Sequence, residues 1–296
     1  MIEVPLSVEP SVIADWAELS CLFGDRGSVS QPEVEQALDD AEVPDAEVVV
    51  SDIWQEITRR HELVETAHPV MTLRGRLERT MTWSDVSAYT FQLLLASHAF
   101  YKATRIIGVR WNESTKLFER LSTLALERYL EGRAINIGFP RDSGIPRGFR
   151  QCLDYLCREL RELRGPVQSY NVPTKDDHVD VVAWRPFADM RSGQVMILAQ
   201  CTAGADWKSK AGEISLDVWR DYVNWTATPL MAFAFPFVCL DDLEWRHLSK
   251  QSRGLLLDRL RIASMFMAGG DSFSTVQTQL KEWCQEQLAR LPWVGK

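Results

Sequence analysis

The sequence predicts an α/β protein in which a mixed sheet flanked by helices (residues 141–296) is preceded by an all-helical N-terminal domain (residues 1–140). Apolar residues recur at helical spacing through most of the first 140 residues. Short runs rich in β-branched residues then appear between residues 179 and 240. The segment "INIGFPRDSGIPRG" (135–148) separates the two patterns, and its glycines and prolines indicate the domain boundary.

Helices account for the N-terminal half of the prediction. In "PSVIADWAELSCLFG", Ile13, Trp16, Leu19 and Phe23 fall on one helical face. Ser30 is suited to cap a second helix that runs to about residue 38. Three further helical segments are predicted, over 45–65, 82–107 and 112–132.

Strands and helices mix in the C-terminal half. A helix is predicted at 149–163, followed by an irregular strand and turn at 165–178. Two strands, 179–187 and 195–203, are joined by the turn "ADMRSGQ". The remaining predicted elements are a helix at 215–225, an apolar strand at 229–240, a long helix at 242–266 that Gly254 interrupts, and a last helix at 273–291. This order predicts an α/β sandwich around a mixed sheet.

Composition excludes several classes of protein. Hydrophobic residues make up 46% of the 296 positions, which is typical of a folded protein with a sizeable core. The longest apolar run, 229–240, is too short to cross a bilayer, and the N-terminus lacks the features of a signal peptide, so we expect a cytoplasmic protein. The six cysteines form no CxxC pair, which argues against a zinc site built from neighbouring ligands and favours free thiols.

Charge is distributed unevenly along the chain. The net charge is −8, but residues 1–65 carry 16 acidic and 3 basic residues, whereas the remainder has a surplus of basic residues. The C-terminal part could therefore approach a phosphate backbone. The acidic segment is expected to be regulatory or partner-binding, either facing a protein partner or shielding a basic cleft.

Polar side chains interrupt the two strands of the predicted hairpin. Asp180 and Gln200 should lie near the same end of adjacent strands. Together with the carbonyl of Cys201, their oxygens would suit Mg²⁺ (or Mn²⁺). Lysines follow at Lys208 and Lys210, and an ammonium group beside a metal suits phosphodiester hydrolysis.

With "KDDHVDVVAW" followed by "ILAQC", residues 146–240 resemble the PD-(D/E)xK restriction-endonuclease-like nucleases. The resemblance implies that Asp180 binds the metal and that Gln200 takes the role of the Glu or Gln in the next strand. Thr202 stands where the family has its lysine, so the resemblance implies that Lys208 or Lys210 has taken over that role. A further acidic ligand from the first helix of the fold is expected at Glu159, with Glu162 as the alternative.

Basic residues on two helical segments are candidates for contacts with the phosphate backbone. They are Arg246, Lys250, Arg253, Arg259, Arg147 and Arg150. The basic residues near 150 could equally pair with acidic neighbours at helical spacing.

The resemblance implies a Mg²⁺-dependent endonuclease that cleaves DNA in a bacterial restriction or anti-phage system. An RNase of the same fold is an open alternative. A second alternative is a catalytically inactive subunit that kept the nuclease fold to bind other proteins. A protein partner or a homo-oligomer is expected, and no membrane.

Overall fold

The computed structural model describes residues 1–5, 7, 9–98, 109–166, 176–267 and 274–294. The elements of the N-terminal half are α1 (Pro10–Phe23), β1 (Ser28–Ser30), α2 (Gln31–Asp40), α3 (Ala46–Val64), β2 (Val70–Leu73), β3 (Arg76–Arg79), α4 (Ser87–Ser97), α5 (Val109–Leu130) and β4 (Arg133–Asn136). Ser30 caps α2 in a capping box with Glu33, as the sequence predicts.

The second half alternates strands and helices. Its elements are α6 (Phe149–Leu160), β5 (Leu163–Arg164), β6 (Val181–Arg185), β7 (Val195–Cys201), α7 (Leu216–Tyr222), β8 (Val223–Asn224), β9 (Leu230–Ala234), α8 (Asp242–Ser252), β10 (Gly254–Leu257), α9 (Arg259–Ser264) and α10 (Ser274–Leu288). The irregular strand predicted at 165–178 lies largely outside the described residues. No helix in the described part of the chain is long and apolar enough to cross a membrane.

A five-stranded mixed sheet forms the centre of the protein. Its order is β10-β9-β7-β6-β4. The strands β7, β9 and β10 are parallel, whereas β4, β6 and β7 are antiparallel neighbours. In the β6–β7 hairpin, Val181 is opposite Ala199, so the residue before β6, Asp180, lies beside the end of β7. The predicted mixed sheet flanked by helices is therefore confirmed.

Helices cover both faces of this sheet. Side chains alternate between faces along each strand. Val181 and Ala199 belong to the buried cluster that also holds α1, α4 and α5. Val182 and Leu198 belong to the cluster beneath α6 and α7. Because α5 packs on β4, β6 and β7, its side chains can reach the end of the hairpin.

The prediction of an all-helical N-terminal domain is wrong. A three-stranded sheet with the order β1-β3-β2 lies within the first 80 residues. Arg74 and Gly75 both have positive φ, 49° and 74°, which is the backbone of a two-residue type I′ hairpin turn between β2 and β3. In addition, β4 pairs with β6 in the central sheet although it precedes the predicted boundary at 140/141.

The long helix predicted over 242–266 is also wrong, because it is three elements. Arg253 ends α8 in the left-handed region, and β10 then pairs with β9. A Cβ on Gly254 would lie 1.8 Å from the carbonyl oxygen of Met231, so only glycine permits this approach of the two strands. The apolar run after Gly254 is a buried parallel strand, which helical periodicity alone cannot distinguish from a buried helix.

Part of the acidic segment is internal. Asp15 and Glu18 on α1 are buried and form ion pairs with Arg60 of α3, and Asp15 also pairs with Arg259 of α9. These contacts tie the acidic N-terminal segment to the C-terminal part of the chain. Any shielding or docking by this segment therefore has to come from its exposed carboxylates.

Candidate functional site

The Asp180 backbone is held between two strands at one end of the central sheet. Its carbonyl oxygen accepts hydrogen bonds from the amides of Ile137 (2.7 Å) and Gly138 (3.0 Å), and its amide donates to Ala199 (2.9 Å). The side-chain Oδ2 accepts from the backbone N–H of Cys201 at 2.7 Å. Asp180 thus lies beside the end of β7, as predicted, and the group that it contacts there is the backbone N–H of Cys201.

A second carboxylate approaches Asp180 from α5. A Cβ on Gly138 would lie 2.7 Å from Oε2 of Glu119 and 2.8 Å from Oδ1 of Asp180. The two oxygens are therefore no farther apart than the sum of those distances. Because a Cβ at position 138 would come within 3 Å of both oxygens, the glycine permits the carboxylates to converge.

Lys116 and Asn136 complete the group. The Lys116 Nζ donates to Glu119 Oε2, Asn136 Oδ1 and the Gly138 carbonyl oxygen, each at 2.8 Å. The Asn136 amide nitrogen donates to the same Glu119 oxygen at 3.0 Å. We call these groups, the side chains of Asp180, Glu119, Asn136 and Lys116 with the Gly138 carbonyl, the Gly138 cage.

The carboxylates of the Gly138 cage are poorly solvated and incompletely neutralised. Burial raises the pKa of Asp180 well above its usual range, and the negative charge of Glu119 raises it further. The Cys201 N–H and Lys116 act in the opposite direction. Burial likewise raises the pKa of Glu119, against the lowering effect of Lys116. Burial therefore favours the neutral forms of both carboxyl groups, an effect that a bound cation would oppose.

The structure places Gln200 away from the Gly138 cage. Cys201 packs with the cluster beneath α5, and Gln200, its neighbour along β7, therefore projects from the other face of the strand. The Gln200 Nε2 donates to Glu213, which also contacts His178 at 3.3 Å. Within the described residues, the buried Oε1 of Gln200 has no hydrogen-bond partner. The prediction that Asp180 and Gln200 share one metal site is therefore wrong.

Both lysines that follow β7 are engaged elsewhere. The Lys208 ammonium pairs with Glu244 at the start of α8. Lys210 pairs with Asp206 at 3.3 Å, four residues earlier in the chain. The lysine beside the carboxylates is instead Lys116. A catalytic role of Lys208 or Lys210 stays a prediction.

The acidic residues expected from α6 lie elsewhere too. Glu159 pairs with Arg133, three residues along β4 from Asn136, which corresponds to roughly 10 Å along a strand. Glu162 accepts hydrogen bonds from the backbone N–H and hydroxyl of Thr226, a structural role. The helix that supplies a carboxylate is α5. The missed signal was the short strand "RAIN", which makes α5 the helix preceding the antiparallel strands.

Exposure divides the candidate DNA-contact residues. Arg259 is only 1% exposed, pairs with Asp15 and donates to the Pro236 carbonyl, so its predicted contact with phosphate is wrong. The remaining candidates are exposed at two places: Arg246, Lys250 and Arg253 on and after α8, and Arg147 and Arg150 before and within α6. Arg147 follows Gly138 by nine residues, on the connection between β4 and α6.

The donor set fits a hard divalent cation. Among the described residues there is no group of three or more His, Cys, Asp and Glu side chains arranged to hold a metal. The Gly138 cage nevertheless offers two carboxylates, one amide oxygen and one backbone carbonyl oxygen, which are the ligand types that Mg²⁺ prefers. Burial is the first cause of the raised pKa values of Asp180 and Glu119, and Lys116 is a cation that opposes it.

Comparison of the chain with protein-family models, with curated proteins and with solved structures gives no match.

Proposed function

We propose that this protein is a metal-dependent nuclease whose divalent cation is held by Asp180 and Glu119. The observation that carries the proposal is the convergence of the two carboxylates on Gly138 at the end of the β6–β7 hairpin. Both are largely buried, and burial raises the pKa of each. Buried carboxyl groups with raised pKa values in one place are typical of functional sites.

The order of elements supports the same proposal. From α5 onward the central layer runs helix, three antiparallel strands (β4, β6, β7), helix α7 and a strand parallel to β7 (β9), with α6 inserted after β4. This resembles the PD-(D/E)xK arrangement once α5 is taken as its first helix. Glu119 then supplies the acidic residue expected from that helix.

Each group has a distinct task in this proposal. Asp180 and Glu119 hold the cation, and Asn136 orients Glu119 through its amide N–H. Bound Mg²⁺ (or Mn²⁺) would supply Lewis-acid polarisation of a phosphodiester and activation of water. Arg147 and Arg150 are exposed and would contact backbone phosphates without reading sequence.

DNA is the proposed substrate, in a bacterial restriction or anti-phage setting, as the resemblance implies. An RNA substrate would use the same carboxylates. Because DNA and RNA would be cleaved by the same carboxylates, the cleavage assay has to distinguish the two substrates.

A catalytically inactive subunit of a larger complex is the second candidate, and one observation favours it. The ammonium of Lys116 already interacts with three oxygens of the Gly138 cage. Gln200 and both lysines after β7 contact other groups. A nuclease fold that has replaced its metal by a permanent internal cation would have this appearance.

A cleavage assay separates the two candidates. Supercoiled plasmid, single-stranded DNA and RNA are incubated with the protein in Mg²⁺, Mn²⁺ or EDTA. We expect metal-dependent cleavage that Asp180→Ala reduces by at least about 10²-fold, because a metal ligand is lost. Asp189→Ala is the matched control, since Asp189 is an exposed hairpin residue paired with Arg191.

Two results would count against the nuclease. Absence of metal-dependent cleavage of all three substrates would favour the inactive subunit. Cleavage by Asp180→Ala at the rate of Asp189→Ala would place any active site elsewhere.

A further inference from the structure

Three oxygens surround the Lys116 ammonium at one distance. Glu119 Oε2, Asn136 Oδ1 and the Gly138 carbonyl are each 2.8 Å from Nζ. An ammonium group has three donors, so all of them are used. Lys116 is only 9% exposed, which leaves little water to replace any of these contacts.

From this geometry, and on the basis of the proposed nuclease function, we propose that Lys116 is a built-in competitor for the divalent cation. Its ammonium fills a subsite made by the Glu119, Asn136 and Gly138 oxygens and is exchanged when Mg²⁺ or Mn²⁺ binds. These oxygens, from a carboxylate, an amide and a backbone carbonyl, are the ligand types that such cations prefer.

The hydrogen bonds to Glu119 make the two occupants exclusive at its Oε2. Its Oε2 already accepts from Lys116 and from the Asn136 amide N–H, and a carboxylate oxygen has about two acceptor positions. A cation that binds this oxygen must therefore displace one donor. Lys116 is the one that can leave, because its head group is carried on a flexible four-carbon stem. Asn136 is less free, since it belongs to β4.

Exchange has a consequence for affinity and for stability. The ammonium stabilises the metal-free protein by partly neutralising Glu119 and Asp180. The same contact weakens metal binding, because the incoming cation must break three hydrogen bonds to the ammonium. Removing the Lys116 charge should thus make the protein less stable without metal and more avid for it.

The first experiment measures Mn²⁺ binding by calorimetry and thermal unfolding by scanning calorimetry. Lys116→Gln is compared with the wild type and with Lys281→Gln, which removes a lysine charge from α10, a helix that contributes no side chain to the Gly138 cage. We expect Lys116→Gln to bind Mn²⁺ at least about tenfold more tightly, because the competitor is gone. Its metal-free midpoint should fall and recover with Mn²⁺, whereas Lys281→Gln should match the wild type.

One contrary result is that the wild type binds Mn²⁺ clearly while folded Lys116→Gln binds it equally or more weakly. That result would overturn the role of Lys116 as a competitor but would still support the metal site. If no variant binds Mn²⁺ and the wild type cleaves nothing, the competitor and the proposed function fail together.

The second experiment uses the wild type alone, so it does not depend on folding of a variant. Labelling of lysines by an amine-acylating reagent is read by mass spectrometry with and without Mg²⁺. Labelling of Lys116 should rise several-fold with Mg²⁺, because the displaced amine becomes accessible, while labelling of Lys281 stays constant. Unchanged or lower labelling of Lys116, with Mg²⁺ bound, would overturn the exchange.

Discussion

Replacing Gly138 by alanine should disable the Gly138 cage without unfolding the protein. The new methyl carbon would lie 2.7 Å from Glu119 Oε2 and 2.8 Å from Asp180 Oδ1, so each oxygen must retreat by roughly 0.6–0.7 Å to reach an ordinary contact distance. Both oxygens would move away from the point on which they now converge. Misplacement by about 1 Å can reduce a catalysed rate on the order of 10²-fold, and we expect a loss of that size.

The fold should tolerate this substitution. Gly138 does not have the left-handed backbone that would strain alanine, and the atoms it meets are the ends of two side chains rather than backbone. Overpacking costs typically about 1–3 kcal/mol, which chemical denaturation will report. Gly148→Ala is the control, because there the nearest atom is the end of the exposed Gln151 side chain. Single-turnover plasmid cleavage by Gly138→Ala at the control's rate would refute the convergence of the carboxylates as the basis of activity.

Two further predictions concern groups outside the Gly138 cage. Lys208→Ala and Lys210→Ala should each cleave at a rate close to that of the wild type, because both ammonium groups are in exposed ion pairs; a loss of about 10²-fold in either would favour that residue as the catalytic lysine. For Glu18, burial alone would raise the pKa, but Arg60 and its other cationic neighbours outweigh burial and lower the pKa far below its usual range. Because the folded-state pKa is lowered, the stabilisation is present above the unfolded value of about 4.3 and is lost as pH falls below it. Glu18→Gln should thus cost about 3–5 kcal/mol at pH 7 and progressively less below pH 4; a difference from the wild type that stays constant in urea unfolding down to pH 3 would contradict this.

Much of the fold could be predicted from local patterns. The apolar spacing in α1 and the capping residues of α2 predict those helices correctly, because both signals are contained in one turn or two of chain. The strands β6, β7 and β9 were likewise marked by β-branched and apolar runs. What sequence could not distinguish was β10, where a buried parallel strand and a buried helix share the same apolar composition.

Of the residues of the candidate site, the sequence predicted Asp180 but not Glu119 or Lys116. Asp180 stands at a strand end, which its local sequence indicates. Glu119 and Lys116 reach it because α5 packs across β4 and β6, a tertiary contact for which the short strand β4 was the available sequence signal. Gln200 looked equivalent to Asp180 in sequence, yet its side chain contacts Glu213. The difference arises because Asp180 precedes β6, whereas Gln200 lies inside β7 and follows its alternation.

The burial of Arg259 could not be predicted from the sequence either. Its neighbours in sequence suggest a basic helical face, but Asp15 on α1, 244 residues away, pairs with it in the interior. Burial of a charged side chain depends on a partner, and the partner lies in another part of the chain.

The proposed binding of one divalent cation by Asp180 and Glu119 can be tested by the anomalous difference density of a crystal soaked in Mn²⁺. We expect a peak within roughly 2.0–2.3 Å of both Asp180 Oδ1 and Glu119 Oε2, with the Lys116 ammonium moved away from its three oxygens. The proposal would be contradicted by a Mn²⁺ peak at another place, with no peak at the Asp180–Glu119 pair and with Lys116 still in its present contacts.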